Sequence, residues 1–286
     1  MEEINLDSYH LETHYNYSYA FYEKEQNKWE IISKKNIFPI TYDIENELSY
    51  SLFEQTDSKK LIIVFSSSIE NNRFNYFKVF QEYKANILYL SDENILTGPT
   101  TCSYYNGNNN YEVKIINLIR SVMEKLNIEK EDTILFGSSK GGFAALYFTF
   151  KYNFGSALVG SPTIYLGRIH RHTAKGKKLI KHLAGEYDNS SLLLIDSLIF
   201  NAIDKCKSRP HIFYHVGKGE PRYSKHAIHF LDYLTLTRKA TYELDLGNYS
   251  NHSLVGEFFP IYAEKVLRDD YKIKKSREMF KLLPVK

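Results

Sequence analysis

Thr133-Ile134-Leu135-Phe136-Gly137-Ser138-Ser139-Lys140-Gly141-Gly142-Phe143-Ala144-Ala145-Leu146-Tyr147-Phe148 is the stretch that decides the fold. A short apolar run enters a turn of small residues and leaves into a segment competent to form a helix. Residues 137–141 match GxSxG with Ser139 at the centre. Small residues two before and two after the serine let the backbone fold back tightly, so the hydroxyl stands clear of a sheet at the N-terminus of a helix. Glycine-rich turns at this position also serve phosphate and dinucleotide loops. The chain contains neither GxGxxG nor GxxxxGK[ST], which weakens that alternative.

Outward from this turn, short and nearly continuous apolar runs recur at Leu61–Phe65, Ile87–Leu90, Ala157–Val159, Ile212–Val216 and Tyr242–Leu246. Buried parallel strands have this pattern. Helical stretches lie between them, clearest at Tyr111–Leu126, where Val113, Ile116, Leu118, Ile119, Met123 and Leu126 form one stripe. Strands alternating with helices predict a mostly parallel central sheet flanked by helices. The first sixty residues differ. Tyr15, Tyr17, Tyr19 and Phe21 alternate with polar neighbours, a Glu25–Lys28 turn follows, and Trp29–Ser33 returns, which predicts an N-terminal antiparallel β hairpin.

The 286 residues are enough for one large core, with charged residues at 25 % and apolar ones at 43 %. That composition excludes disordered, collagen-like and disulfide-framework proteins. No apolar run reaches membrane-spanning length, and Met1-Glu2-Glu3 opens without a secretory signal, so the expected location is the cytoplasm. Cys102 and Cys206 have no metal or redox spacing and are expected as free thiols. The unusual figure is an aromatic fraction of 15 %, with 24 Tyr and 18 Phe.

A serine hydroxyl is a poor nucleophile near neutral pH and needs a base oriented in turn by an acid. In the α/β-hydrolase fold the chain order is serine, then Asp or Glu, then His. Glu220 follows the Ile212 run in the loop Gly217-Lys218-Gly219-Glu220, and His252 follows the last core run in a polar loop. The competing histidines fit less well. His170, His172 and His182 lie in a basic segment, His215 is within a strand, and His226 and His229 belong to a helix. Among the carboxylates, Asp204 precedes its strand, Asp196 is in a helix and Asp245 within a strand. The candidate triad is therefore Ser139, His252 and Glu220. Acyl transfer also needs N–H donors for the developing oxyanion. The expected donors are the backbone N–H groups of Lys140 and Ser67, with the Lys140 side chain on the substrate rim.

Gly137–Gly142, Glu220 in its Gly-rich loop and the Asn251-His252 pair resemble the O-acetyltransferase-like component of the accessory Sec export system and related α/β-hydrolase proteins of bacterial capsule biosynthesis. The resemblance covers about residues 60–262. It implies acetylation of Ser139, with Glu220 as orienting acid and His252 as general base, and transfer to sugar hydroxyls of a surface glycan. The chain is shorter than the larger accessory Sec proteins, which favours the capsule-type relatives.

The expected organisation is a β-rich extension at 1–59, a catalytic domain at 60–264 with a lid insertion at 168–205, and a basic segment at 265–286. From Arg168 to His182 there are six Lys or Arg and no carboxylate. Arg171, Lys177 and Lys178 are candidates to bind phosphates of an acyl-coenzyme A donor or an anionic polysaccharide; solvated helix faces are the plainer alternative. No nucleic-acid motif accompanies the charge. Tyr104 and Tyr105, flat apolar rings with polar tips, are candidates to contact a carbohydrate acceptor, as are Tyr223 and Tyr249. The expected function is O-acetylation of a bacterial surface polysaccharide with acetyl-CoA as donor and no metal. The alternatives are an esterase or deacetylase with the same triad, and a non-catalytic glycan-binding or complex-forming protein.

Overall fold

The computed structural model describes residues 9–12, 19–23, 28–32, 40–43, 46, 48–55, 57–67, 74–80, 83–92, 104–105 and 111–275. Their strands are β1 (Tyr9–Glu12), β2 (Tyr19–Glu23), β3 (Lys28–Ile32), β4 (Ile40–Asp43), β5 (Leu48–Phe53), β6 (Leu61–Phe65), β7 (Asn86–Ser91), β8 (Thr133–Ser138), β9 (Ser156–Gly160), β10 (His211–Gly217) and β11 (Thr241–Gly247). They form one sheet in the order β1-β2-β3-β4-β5-β7-β6-β8-β9-β10-β11. From β7 to β11 every neighbouring pair is parallel, and β5 joins antiparallel to β7. That seven-stranded unit with its helices is an α/β-hydrolase sheet.

The parallel strands alternate between two cores, as period-2 geometry requires. Leu61, Ile63 and Phe65 of β6 join one core, while Ile62 and Val64 join the other. The first core is covered by α2 (Tyr111–Leu126), α3 (Ser139–Tyr152), α6 (Asn189–Lys205) and α7 (Ile228–Thr237), the second by α1 (Phe77–Phe80) and α8 (Val255–Asp269). Each large apolar side chain removed from water stabilises the fold by about 1.5–3 kcal/mol. The aromatic excess is spent largely here. The largest fully buried side chains are Tyr89, Tyr104, Tyr214 and seven phenylalanines. Phe136 of β8 stacks on Phe259 at 4.8 Å and meets the edges of Phe80 and Tyr76.

Several local readings change. The predicted hairpin is β2 paired with β3, but it is one turn of a longer antiparallel meander running from β1 to β5. Tyr15, Tyr17, the Glu25–Asn27 turn, Asn106–Asn110 and Cys102 lie outside the described residues. Helix α2 has the predicted ends, yet Val113 faces solvent and Glu112 is buried instead. Glu112 is held there by Tyr147, Tyr152 and Lys151. The Tyr242–Leu246 run forms β11, which is an edge strand; Leu246 is 45 % exposed. Cys206 is a buried free thiol.

Within the expected lid segment, α4 (Leu166–His170) and α5 (Ala174–Ala184) lead into α6, which packs in the same core as α3 through Ile195, Ile199 and Ile203. Thus α6 is a crossover helix of the fold. Helix α3 ends where Asn153 adopts left-handed backbone, and its carboxamide oxygen accepts from Lys207 and Ser208 N–H in the loop leading to β10. Among the described residues no helix is long and apolar enough to cross a membrane.

Candidate active site

The elbow forms because three chain segments approach too closely for side chains. A Cβ on Gly137 would lie 2.4 Å from the Gly141 carbonyl, and one on Gly141 would lie 2.1 Å from the Phe65 carbonyl oxygen. The turn between β8 and α3 is thereby pressed against the end of β6. At its apex Ser139 has φ 52°, the left-handed strain expected of a nucleophile elbow.

Two further loops bring up the other groups. Beyond β10 and β11, Lys218 N–H donates to the Gly247 carbonyl at 2.9 Å, and Gly219 N–H donates to the Tyr249 carbonyl at 3.1 Å. The Tyr249 ring fills the gap: a Cβ on Gly217 would meet it at 2.6 Å. This zipper carries Glu220 inward. Asn251 caps the short turn His252–Leu254 by accepting from Ser253 N–H at 3.1 Å, which presents the His252 ring.

The structure brings the three predicted residues together. His252 Nδ1 is 2.5 Å from Glu220 Oε1, and His252 Nε2 is 3.0 Å from Ser139 Oγ. A carboxylate only accepts, so the ring proton is on Nδ1 and Nε2 accepts the serine hydroxyl. The Glu220 side chain is 0 % exposed and that of His252 32 %. Burial pushes the Glu220 carboxyl upward, but hydrogen bonds from His252 and Ser161 and the nearby charge of Arg222 outweigh it, holding the group below its ordinary range. Arg222, whose guanidinium lies 3.6 Å from Glu220 Oε1, has its own pKa lowered by burial. The arrangement can take a proton from Ser139, hold it on His252 and return it.

The expected oxyanion donors divide. Lys140 lies in the first turn of α3, where N–H groups have no intrahelical acceptor, so its backbone is free to donate. Its side chain is not on a rim; it is buried in an ion pair with Asp92, above the Tyr104 ring. The elbow turns the residue after Ser139 back into the protein. Ser67 N–H donates to Asn75 Oδ1 at 2.8 Å, so the side chain of Asn75 occupies the second expected donor.

The expected acceptor and donor contacts are placed elsewhere. Tyr104 is fully buried and donates to the Leu90 carbonyl at 2.8 Å, which removes it from any acceptor surface. Tyr105 meets the edge of Tyr147 on the α2–α3 side. Tyr249 is buried between the site loops, and Tyr223 is half-buried just past Glu220. Arg171, Lys177 and Lys178 are exposed on and beside α5; Arg171 pairs with His172, and Lys177 lies over the Tyr187 ring at 5.4 Å. Among the described residues no cluster of His, Cys, Asp or Glu is arranged to hold a metal. Sequence reasoning missed Ser161, Arg222 and Asn75, since none belongs to a motif.

Comparison with known proteins agrees with this architecture. The capsule O-acetyltransferase of Neisseria meningitidis serogroup A superposes with a TM-score of 0.66 at 20 % identity, over 81 % of this chain and 95 % of that one. A variant of that enzyme in complex with CoA gives 0.65 at 20 % identity, over 80 % and 94 %. The Glycosylation Associate Protein (Gap123) complex from Streptococcus agalactiae gives 0.61 at 21 %, over 78 % of this chain and 45 % of that one. At these identities the likeness concerns the fold. In sequence, the chain is 33 % identical over 112 residues to an accessory Sec system protein of Staphylococcus aureus (strain NCTC 8325 / PS 47), a stretch covering 39 % of this chain and 21 % of that protein. The chain thus matches about a fifth of its curated relative's length, and its own length does not separate the accessory Sec group from the capsule group. The model of the accessory Sec system GspB-transporter family matches residues 19–198, more than half of the chain, and the chain belongs to that family.

Proposed function

We propose that the protein is a serine-dependent O-acetyltransferase acting on a bacterial surface polysaccharide, with acetyl-CoA as donor. The observation that carries this reading is the unbroken path from Ser139 Oγ through His252 to Glu220. His252 Nε2 takes the Ser139 proton as Oγ attacks the thioester carbonyl, and the Lys140 N–H faces the oxyanion that develops. The carbon–sulfur bond breaks, coenzyme A leaves with the proton returned by His252, and an acetyl ester remains on Ser139. A sugar hydroxyl then attacks that ester, gives its proton to His252, and departs acetylated as Ser139 is restored.

Support for the donor comes from the CoA-bound fold relative and from the exposed basic face of α5, where Lys177 and Lys178 can meet phosphates. Charge reversal at both should weaken CoA binding in a salt-sensitive way. A coenzyme A donor also suits the cytoplasm, where it is supplied. Hydrolysis is the second reading, favoured by the one-third exposure of His252, which admits water to the acyl-enzyme.

Intact mass after incubation with acetyl-CoA tests the proposal. One added acetyl group, absent in Ser139→Ala, is expected; product assays with and without glycan then separate transfer from hydrolysis. No acetyl uptake together with inertness to a fluorophosphonate probe would overturn it in favour of a non-catalytic, complex-forming role.

A further inference from the structure

Besides the elbow, a second serine at the site is strained. Ser161, just past β9, has φ 42°. A non-glycine residue in left-handed backbone is strained, and glycine would occupy the position freely. The side chain has a task that offsets the strain. Ser161 Oγ lies 2.6 Å from Glu220 Oε2 and 3.1 Å from the Tyr249 hydroxyl. The carboxylate takes the only Ser161 proton, so Tyr249 donates to Ser161.

The following residues extend the arrangement. Ser161 N–H donates to the His215 carbonyl at 2.7 Å, and Thr163 N–H donates to the Ser139 carbonyl at 3.0 Å. Thr163 Oγ1 accepts from Arg222 at 3.3 Å. Segment 161–163 therefore touches the nucleophile's backbone, the acid, and the cation beside the acid. Glu220 Oε1 is occupied by His252, and its buried Oε2 has Ser161 as donor.

We propose that Ser161 is the positioning residue of this site: its hydroxyl, held by Tyr249, fixes the Glu220 carboxylate so that Oε1 meets His252 Nδ1. The inference rests on the triad reading above. Ser161 acts through Glu220 and touches no reacting atom. Without it, a buried carboxylate oxygen loses its donor and the carboxylate turns toward Arg222 or takes up a proton. Either outcome weakens its hold on His252. Loss of a donor also destabilises the deprotonated form of the Glu220–His252 pair, so protons bind the pair more tightly wherever they reside. The other titratable groups facing Glu220 are Arg222, Tyr249, Tyr214 and His226.

Ser161→Ala and Ser161→Gly distinguish this role from a backbone one. Both remove the hydroxyl, but only glycine relieves the strain, so the glycine variant should unfold at a higher temperature than the alanine variant. Fluorophosphonate labelling of Ser139, followed against pH, needs neither donor nor acceptor. Both variants should label about 10²-fold more slowly, with the acid limb of the profile moved up by about one pH unit, while Tyr249→Phe loses only a few-fold. Wild-type labelling by Ser161→Gly, or an unmoved acid limb, would overturn the proposal. Should the wild type itself fail to label, the triad reading falls, and the His252 Nδ1 proton in NMR spectra decides about Ser161. Its loss in both variants supports the positioning role and its persistence refutes it.

Discussion

The ammonium of Lys140 is paired with the carboxylate of Asp92, with side chains 7 % and 0 % exposed, one residue beyond Ser139. Removing one partner takes the ion pair away from a buried charge beside the elbow. Lys140→Met should cost about 3–5 kcal/mol in denaturant unfolding, and the double variant with Asp92→Leu should recover much of that loss. Strict additivity of the two single losses would show that the pair is not coupled.

Glu220 keeps the His252 ring in the tautomer that leaves Nε2 free. In Glu220→Gln an amide can offer a hydrogen to Nδ1 and so favours the wrong tautomer. The proposed acetyl transfer should fall about 10⁴-fold in kcat with KM little changed. A similar loss is expected for His252→Ala, and the double variant should be no worse than the poorer single one.

His226 is buried, and its Nδ1 accepts the Tyr165 N–H at 3.1 Å. Burial first, then the charges of Arg222 and Arg168, depress its pKa from 6.5 to about 4. Between those values the unfolded chain binds the extra proton and the folded one does not. The stability from this group is therefore complete above about pH 6.5 and is lost as pH falls toward 4, by up to roughly 3 kcal/mol. Chemical denaturation across this range should show that slope in the wild type and a flatter one in His226→Gln.

Two glycines make a paired control for the elbow. A Cβ on Gly141 would lie 2.1 Å from a backbone oxygen of β6, whereas one on Gly256 in α8 meets nothing within 4 Å. Gly141→Ala should destabilise by about 3 kcal/mol or more or prevent folding. Gly256→Ala should be neutral or stabilising by up to about 1 kcal/mol. Thermal unfolding of the two variants gives the comparison.

The parallel strands, the elbow and the order of Ser139, Glu220 and His252 were legible because each is local: an apolar run, a spacing of small residues, a loop after a strand. The buried Tyr104, the inward Lys140 and the capture of Ser67 N–H by Asn75 were not, because each depends on where distant segments meet. Ser161 carries no signal of its own, since a serine after a strand is ordinary and only its φ and its contact with Glu220 distinguish it. Tyr249 offered a faint clue in the glycines that end β10 and β11, which leave room for its ring.

Ser139 and His252 are 113 residues apart in the chain. During synthesis β6, β8 and α3 can pack around the Ser139 turn before the loops that follow β10 and β11 have left the ribosome. Until they do, Ser139 has neither His252 nor Glu220 beside it, and a nascent or truncated chain carries the elbow without the proposed base and acid. On the proposed chemistry, competence arrives only once the strand at the far edge of the sheet has been laid down, and acylation of Ser139 would then report that the sheet is assembled as far as β11.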